Sequence, residues 1–298
     1  MSTITVGLDG SPESLAAADW AAREAQEREA PLRLLHGGEQ MRYLYAPLAG
    51  VPAPDAIDAQ REWAAYTLRE TESRLAERHP GLRITTQQTQ EQAVPALLAA
   101  ADNSDLLVLG SRGLGELAGF LVGSVALAVV ARCPRPVVLV RAGETPAHGD
   151  RPEAVTSYRD VVLGLDLENP ADAVIGFAFE TAQRRAADLR VVHGWSLPAA
   201  YGYGAAMDAG LNDELAEQVR LTLTDVLRPW KDKFPGVEVR AQAVVGGAGR
   251  HLVHASRDAS LVVVGRKHRR TPVGSHIGPV THAALQHASA PVVVVPHD

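Results

Sequence analysis

Four strand-like segments of this chain occur twice at a nearly constant spacing. Val6-Gly7-Leu8-Asp9 is answered by Leu163-Gly164-Leu165-Asp166, and Leu32–Gly37 by Leu189–Gly194, each 157 positions later. Leu107–Gly110 is answered by Val262–Gly265, and Pro136–Val140 by Pro291–Val295, each 155 positions later. A constant shift across four segments marks a duplicated domain, and a period this long is not that of a solenoid. Each copy has the length of an ordinary domain and must bury its own core. With 46% hydrophobic and 21% charged residues, the 298-residue chain has enough apolar surface for two such cores. The division expected is a first domain at 1–142, a linker at 143–158 that carries Gly143, Pro146, Gly149, Asp150 and Pro152, and a second domain at 159–298.

Within the first copy the hydrophobic period alternates between that of strands and that of helices. Ile4–Asp9 reads as a strand, and Pro12–Glu29 as a helix with Ser11 as its cap and Pro12 at its first position. Leu32–His36 is a second strand, Pro54–His79 a long helix, Leu82–Gln87 a third strand and 93–102 a third helix. Leu106–Leu109 and Pro136–Val140 complete five strands, the fourth and fifth being short apolar runs suited to burial on both faces. Alternation of this kind predicts an α/β fold: two tandem domains, each an open parallel sheet with helices on both faces, Rossmann-like in character.

The most informative local pattern is Gly110-x2-Gly113-x9-Gly123-Ser124, which joins the fourth strand to a helix over 124–131. Glycines there let main-chain N–H groups approach an anion, and Ser124 is expected to cap the helix and add a hydroxyl at its positive end. A purely structural βα turn is the competing reading. In open sheets a ligand sits beyond the carboxyl ends of the strands where the winding reverses. If the first and fourth strands are neighbours, Asp9 and the glycine loop share one crevice. A base near Asp9, with Gly37 leaving room for a flat ring, and phosphates near Gly113, Gly123 and Ser124 is the simplest occupant.

Other features bound the function. No run of eighteen apolar residues and no basic-then-apolar leader occurs, and the single cysteine, Cys133, has no partner for an internal disulfide. A cytoplasmic protein is expected, with no membrane partner, and the net charge of −6 argues against nucleic acid.

The run Val6–Pro12, the strand ending in His36 and the glycine–serine loop resemble the universal stress protein family, and the likeness covers nearly the whole chain twice. The chain is similar to tandem members and, in its glycine spacing, to the ATP-binding branch. That resemblance implies five strands in the order 3-2-1-4-5, ATP accompanied by Mg2+ as the cofactor, and self-association through fifth strands, within one chain or as a homodimer. It implies nucleotide contacts at Leu8, Asp9, Gly37, Leu109, Gly110, Arg112, Gly113, Gly123, Ser124 and Val125. It also implies a nucleotide-dependent stress-response regulator with no catalytic residues and at most slow ATP hydrolysis.

The second copy departs from this pattern. Gly265 and Gly278 match Gly110 and Gly123, but His268 stands for the middle glycine and Pro279 for the serine. Proline supplies neither N–H nor hydroxyl. Arg266, Lys267, His268, Arg269 and Arg270 form a basic run expected to be a loop, either holding phosphates through charge or simply solvated. A second site would draw on Leu165, Asp166, Gly194, Gly265, Arg266, Lys267, His268, Gly278 and Val280.

Other patterns are weaker. His276–Pro279 lacks the last histidine of an adenylyl-transfer signature, and His251, His254 and Asp258 lack a fourth ligand, so no metal site is expected. Gly246–Gly249 reads as a turn. No nucleophile–base–orienter set can be assembled. Two alternatives to the regulator remain: a nucleotide-free assembly module, and an adenylating or ATP-hydrolysing enzyme of the same α/β class.

Overall fold

The computed structural model describes residues 3–38, 54–111, 122–143, 158–195, 209–268 and 277–298. Arg112, Gly113, Arg269, Arg270 and His276 lie outside the described residues. The chain divides into two compact units, Met1–Gly143 and Glu144–Asp298.

In the first unit the elements are β1 (Ile4–Gly7), α1 (Pro12–Glu27), β2 (Leu32–Gly38), α2 (Pro54–Arg78), β3 (Ile84–Gln92), α3 (Ala93–Ala101), β4 (Leu106–Ser111), α4 (Ser124–Arg132) and β5 (Val137–Arg141). Its strand order is β3-β2-β1-β4-β5, and the neighbouring strands run parallel, with Ile4 opposite both Leu32 and Leu106. Parallel strands need crossover helices, and the right-handed rule puts the helices on opposite faces as the winding changes direction. Accordingly α1 packs beside α2, and α3 beside α4. Strands covered on both faces must be apolar throughout, which is why Leu106–Leu109 and Val137–Val140 are all buried.

The second unit repeats this plan with β6 (Asp160–Gly164), α5 (Asp172–Arg184), β7 (Leu189–Trp195), α6 (Ala209–Lys233), β8 (Val239–Val245), α7 (Ala248–Ala255), β9 (Ala259–Lys267), α8 (Pro279–His287) and β10 (Val292–His297). Its strands run β10-β9-β6-β7-β8, again parallel. On the α5–α6 face the fully buried Phe179 stacks on Trp230 and Phe234 at centroid distances of 6.0 and 5.5 Å.

The two copies differ where β6 hands over to its helix. In the first, Ser11 caps α1, its side chain accepting the Ser14 N–H at 3.2 Å, and Pro12 opens the helix. In the second, Glu168 and Asn169 stand at those positions, and α5 begins only after Ala171, which offers no side-chain cap. Without a serine hydroxyl the first turn has no acceptor for its N–H groups, so the helix starts one turn later. Ser11→Ala should therefore lower the urea midpoint of the first domain by an amount equivalent to about 1 kcal/mol.

Candidate functional site: a crevice at the strand ends of the first domain

Beyond the carboxyl ends of β1, β2 and β4 lies a crevice of about 620 Å³, within the roughly 300–1,000 Å³ typical of small-ligand sites. Leu8, Asp9, Gly37, Leu109, Gly110, Gly123, Ser124 and Val125, all expected from the sequence, line it together. Its inner wall is apolar, formed by Leu8, Leu35 and Leu109 from the sheet and Leu97 from α3, each nearly inaccessible to solvent.

Asp9 stands at the rim, immediately after β1. Its Oδ1 accepts the Ser11 N–H at 3.0 Å and the Ser11 hydroxyl at 2.5 Å. The buried Ser14 hydroxyl donates to the Ser11 carbonyl at 2.9 Å and accepts the Asp9 N–H at 3.3 Å. These bonds hold a turn whose central residue, Gly10, has φ +75°, a conformation that glycine adopts without strain. The Trp63 ring of α2 packs against Gly10 and lies edge-on to His36 at 5.9 Å.

Opposite Asp9, α4 points its amino terminus into the crevice. Gly123, not Ser124, is its N-cap, and no side chain caps it. Ser124 is the first helical residue and is exposed. The expectation of a serine cap is thus corrected: a cap must have extended backbone, which Gly123 adopts at φ −60°, ψ 149°. The first intrahelical bond runs from the Leu127 N–H to the Gly123 carbonyl. The N–H groups of Ser124, Val125 and Ala126 therefore have no partner within the helix and line the crevice at its positive end.

Gly37 lines the crevice and also has a packing reason to be glycine. A Cβ there would lie 2.7 Å from the Cα of Ala93, because the start of α3 crowds β2. Gly194 is crowded by Ala248 in the same way. Trp63, Ser14 and the α3 residues Ala93, Val94 and Leu97 were not anticipated as parts of this region. The tryptophan had one signal, a large aromatic on the long second helix, shared with Tyr66 three positions on.

In the second domain Asp166 again follows its strand, its Oδ1 accepting the Glu168 N–H at 3.0 Å. The Leu165 carbonyl accepts a hydrogen bond from His193 Nδ1 at 2.9 Å. Gly278 is the N-cap of α8, and Pro279 at the first position removes one N–H. The Thr281 hydroxyl donates to the Gly265 carbonyl at 2.8 Å. A Cβ on Gly265 would meet His297 Nε2 at 2.9 Å, whereas one on Gly110 would meet the backbone of Glu13 and Ser14. Arg266 and Lys267 belong to β9, paired with Pro296 and His297, and not to a loop. The strand continues past Gly265 because β10 continues beside it. Arg266 is buried, while Lys267 and His268 are exposed and Val280 lies partly exposed in the first turn of α8.

His251 Nε2 lies 3.1 Å from the Val245 carbonyl. Among the described residues no three histidine, cysteine, aspartate or glutamate side chains are grouped to hold a metal ion, and no helix is long and apolar enough to cross a membrane.

Parallel five-stranded sheets in the order 3-2-1-4-5, with helices on both faces, define two doubly wound α/β domains. The model of the Universal stress protein family matches residues 1–141 and again 157–296, so the chain belongs to the universal stress protein family, with two tandem domains. A universal stress protein of Mycolicibacterium smegmatis is 31% identical over 302 residues, covering 98% of this chain and 96% of its own. Universal stress protein Rv2005c of Mycobacterium tuberculosis is 30% identical over 296 residues, with 98% and 96% covered. The crystal structure of a universal stress protein from Archaeoglobus fulgidus shares the fold at a TM-score of 0.71 and 16% identity, covering 99% of this chain and 98% of that one.

Proposed function

We propose that the first domain binds ATP in the strand-end crevice and that the protein acts in the stress response as a nucleotide-dependent regulator. One observation carries this reading: the uncapped amino terminus of α4 and the Asp9 carboxylate face a single apolar-walled crevice of about 620 Å³. The first three N–H groups of α4, which have no partner within the helix, suit a phosphate chain. The Asp9 carboxylate, held in place by Ser11, suits the hydroxyl or amine donors of a nucleoside. Mg2+ would arrive with the triphosphate and keep most of its ligands from phosphate and water. Binding without turnover is part of this proposal.

Isothermal titration of the full chain with Mg-ATP tests it. One tight site is expected, with a second at least tenfold weaker in the second domain, where Pro279 removes a donor and the Thr281 hydroxyl is engaged by Gly265. Pro279→Ser should narrow that gap. Absence of saturable heat at millimolar ATP would favour a nucleotide-free assembly module, and phosphate release on mixing would favour the enzyme. Pairing through fifth strands is part of the proposal, and mass spectrometry under gentle conditions reports subunit number together with bound nucleotide.

A further inference from the structure

Alongside the edge strand β3, separate from the crevice in its lining residues, the first domain carries a polar groove of about 480 Å³ between β3 and α3. Arg33, the second residue of β2, lies in it beside Thr85, Gln87, Thr89 and Asn103. The α3 side is lined by Ala96, Ala99 and Ala100, whose methyl groups leave the space unfilled. Arg33 is partly buried and has no hydrogen-bond or ion-pair partner among the described residues.

The duplicated domain supplies an internal comparison. The counterpart of Arg33 is Arg190, and its Nη2 lies 2.8 Å from Asp160 Oδ2. Arg240, the counterpart of Thr85, is 3.9 Å from the same carboxylate and also pairs with Asp188. In the first domain Asp160 is replaced by Thr3 and Asp188 by Pro31. Both carboxylates are gone, while one of the two guanidiniums remains in the same register on the strand. An arginine fork is matched to a carboxylate, and one set in a groove without a partner forgoes a charge-assisted pair that its twin makes.

We infer that this groove is a ligand site for a small polar monocarboxylate, the ligand supplying at Arg33 the carboxylate that Asp160 supplies to Arg190. The remainder of such a molecule lies against hydroxyl and amide groups. Thr89, whose oxygen accepts the Glu91 N–H at 3.2 Å, keeps its hydroxyl proton to donate. Thr85 donates only a long bond of 3.4 Å, to the Leu32 carbonyl. Glu91 lines the groove six positions along the strand from Thr85, about 20 Å at the strand rise. It marks the far end of the groove, beyond the reach of a small ligand held at Arg33. This site does not depend on the nucleotide reading, because no residue lining it lines the strand-end crevice.

Amide NMR of the full chain, titrated with gluconate and with N-acetylglycylglycine, tests the inference, with glucose and inorganic phosphate as controls. Saturable shifts are expected for Arg33, Thr85 and Thr89, equal with and without ATP, with at least one of the two carboxylates and not with glucose. Arg33→Gln should weaken binding tenfold or more. Thr3→Asp, which recreates the Arg190–Asp160 pair while keeping the arginine, should do the same with a fully dispersed spectrum, so that loss of fold cannot imitate the result. No saturable shift with either carboxylate, an equal response to phosphate alone, or unchanged affinity in folded Thr3→Asp would overturn it.

Discussion

Gly110→Val is expected to displace the first turn of α1 and to eliminate ATP binding by the first domain. A Cβ at this position lies 2.6 Å from the Glu13 carbonyl carbon, 2.7 Å from the Ser14 nitrogen and 2.8 Å from the Glu13 oxygen. All three are backbone atoms, so no side chain can swing aside, and either α1 or β4 must move. Overpacking of this kind costs about 1–3 kcal/mol, and the branched valine belongs at the upper end. The displaced residues are those that hold Asp9, since the Ser14 hydroxyl binds both the Asp9 N–H and the Ser11 carbonyl. Stability and affinity should therefore fall together, read by urea denaturation and by titration calorimetry. Gly236→Ala, where a Cβ meets nothing within 4 Å, is the matched control and should change neither. A Gly110→Val protein with wild-type urea midpoint and ATP affinity would refute the packing of α1 on β4.

The second large effect is expected at Asp9. Asp9→Ala removes a charged acceptor at the crevice rim and the partner of both Ser11 donors, a loss of about 1.5–3 kcal/mol for a hydrogen bond to a charged group. Read as binding, that is a roughly tenfold to hundredfold weaker Kd for ATP. Asp9→Asn keeps a neutral carbonyl acceptor for Ser11 and should preserve the turn, so it separates the two contributions. If Asn retains the melting temperature but loses affinity, the carboxylate itself meets the ligand. If Ala retains full affinity, Asp9 serves only the turn and the placement of the nucleoside is wrong.

The strand and helix order of the first domain could be read from its residues because the signals there are strong. Buried parallel strands such as Leu106–Leu109 are continuous apolar runs, and their expected ends agree with the structure to within two residues. β3 was the least well bounded, extending to Gln92 where the expectation stopped at Gln87. It is an edge strand, largely exposed, and its threonines and glutamines carry no burial pattern. The convergence of Asp9 and Gly110 followed from topology, whereas the parts set by atomic crowding did not. Nothing local reveals that Ala93 lies against Gly37 and leaves no space for a Cβ. Ser124 matched the cap preference, yet Gly123 takes the extended conformation a cap needs. The late start of α5 was legible in principle, as Glu168 and Asn169 replace Ser11 and Pro12, but only once the two copies are aligned residue by residue.

The indole that rests on the left-handed turn before Ser11 gives this protein an intrinsic optical reporter. Trp63 is half open to water and touches the peptide next to Asp9, whereas Trp20 is buried and Trp230 is stacked on phenylalanines in the other domain. A solute that meets Asp9 is expected to disturb that ring, and emission from a Trp195→Phe chain, freed of the fourth, partly exposed tryptophan, would follow occupancy.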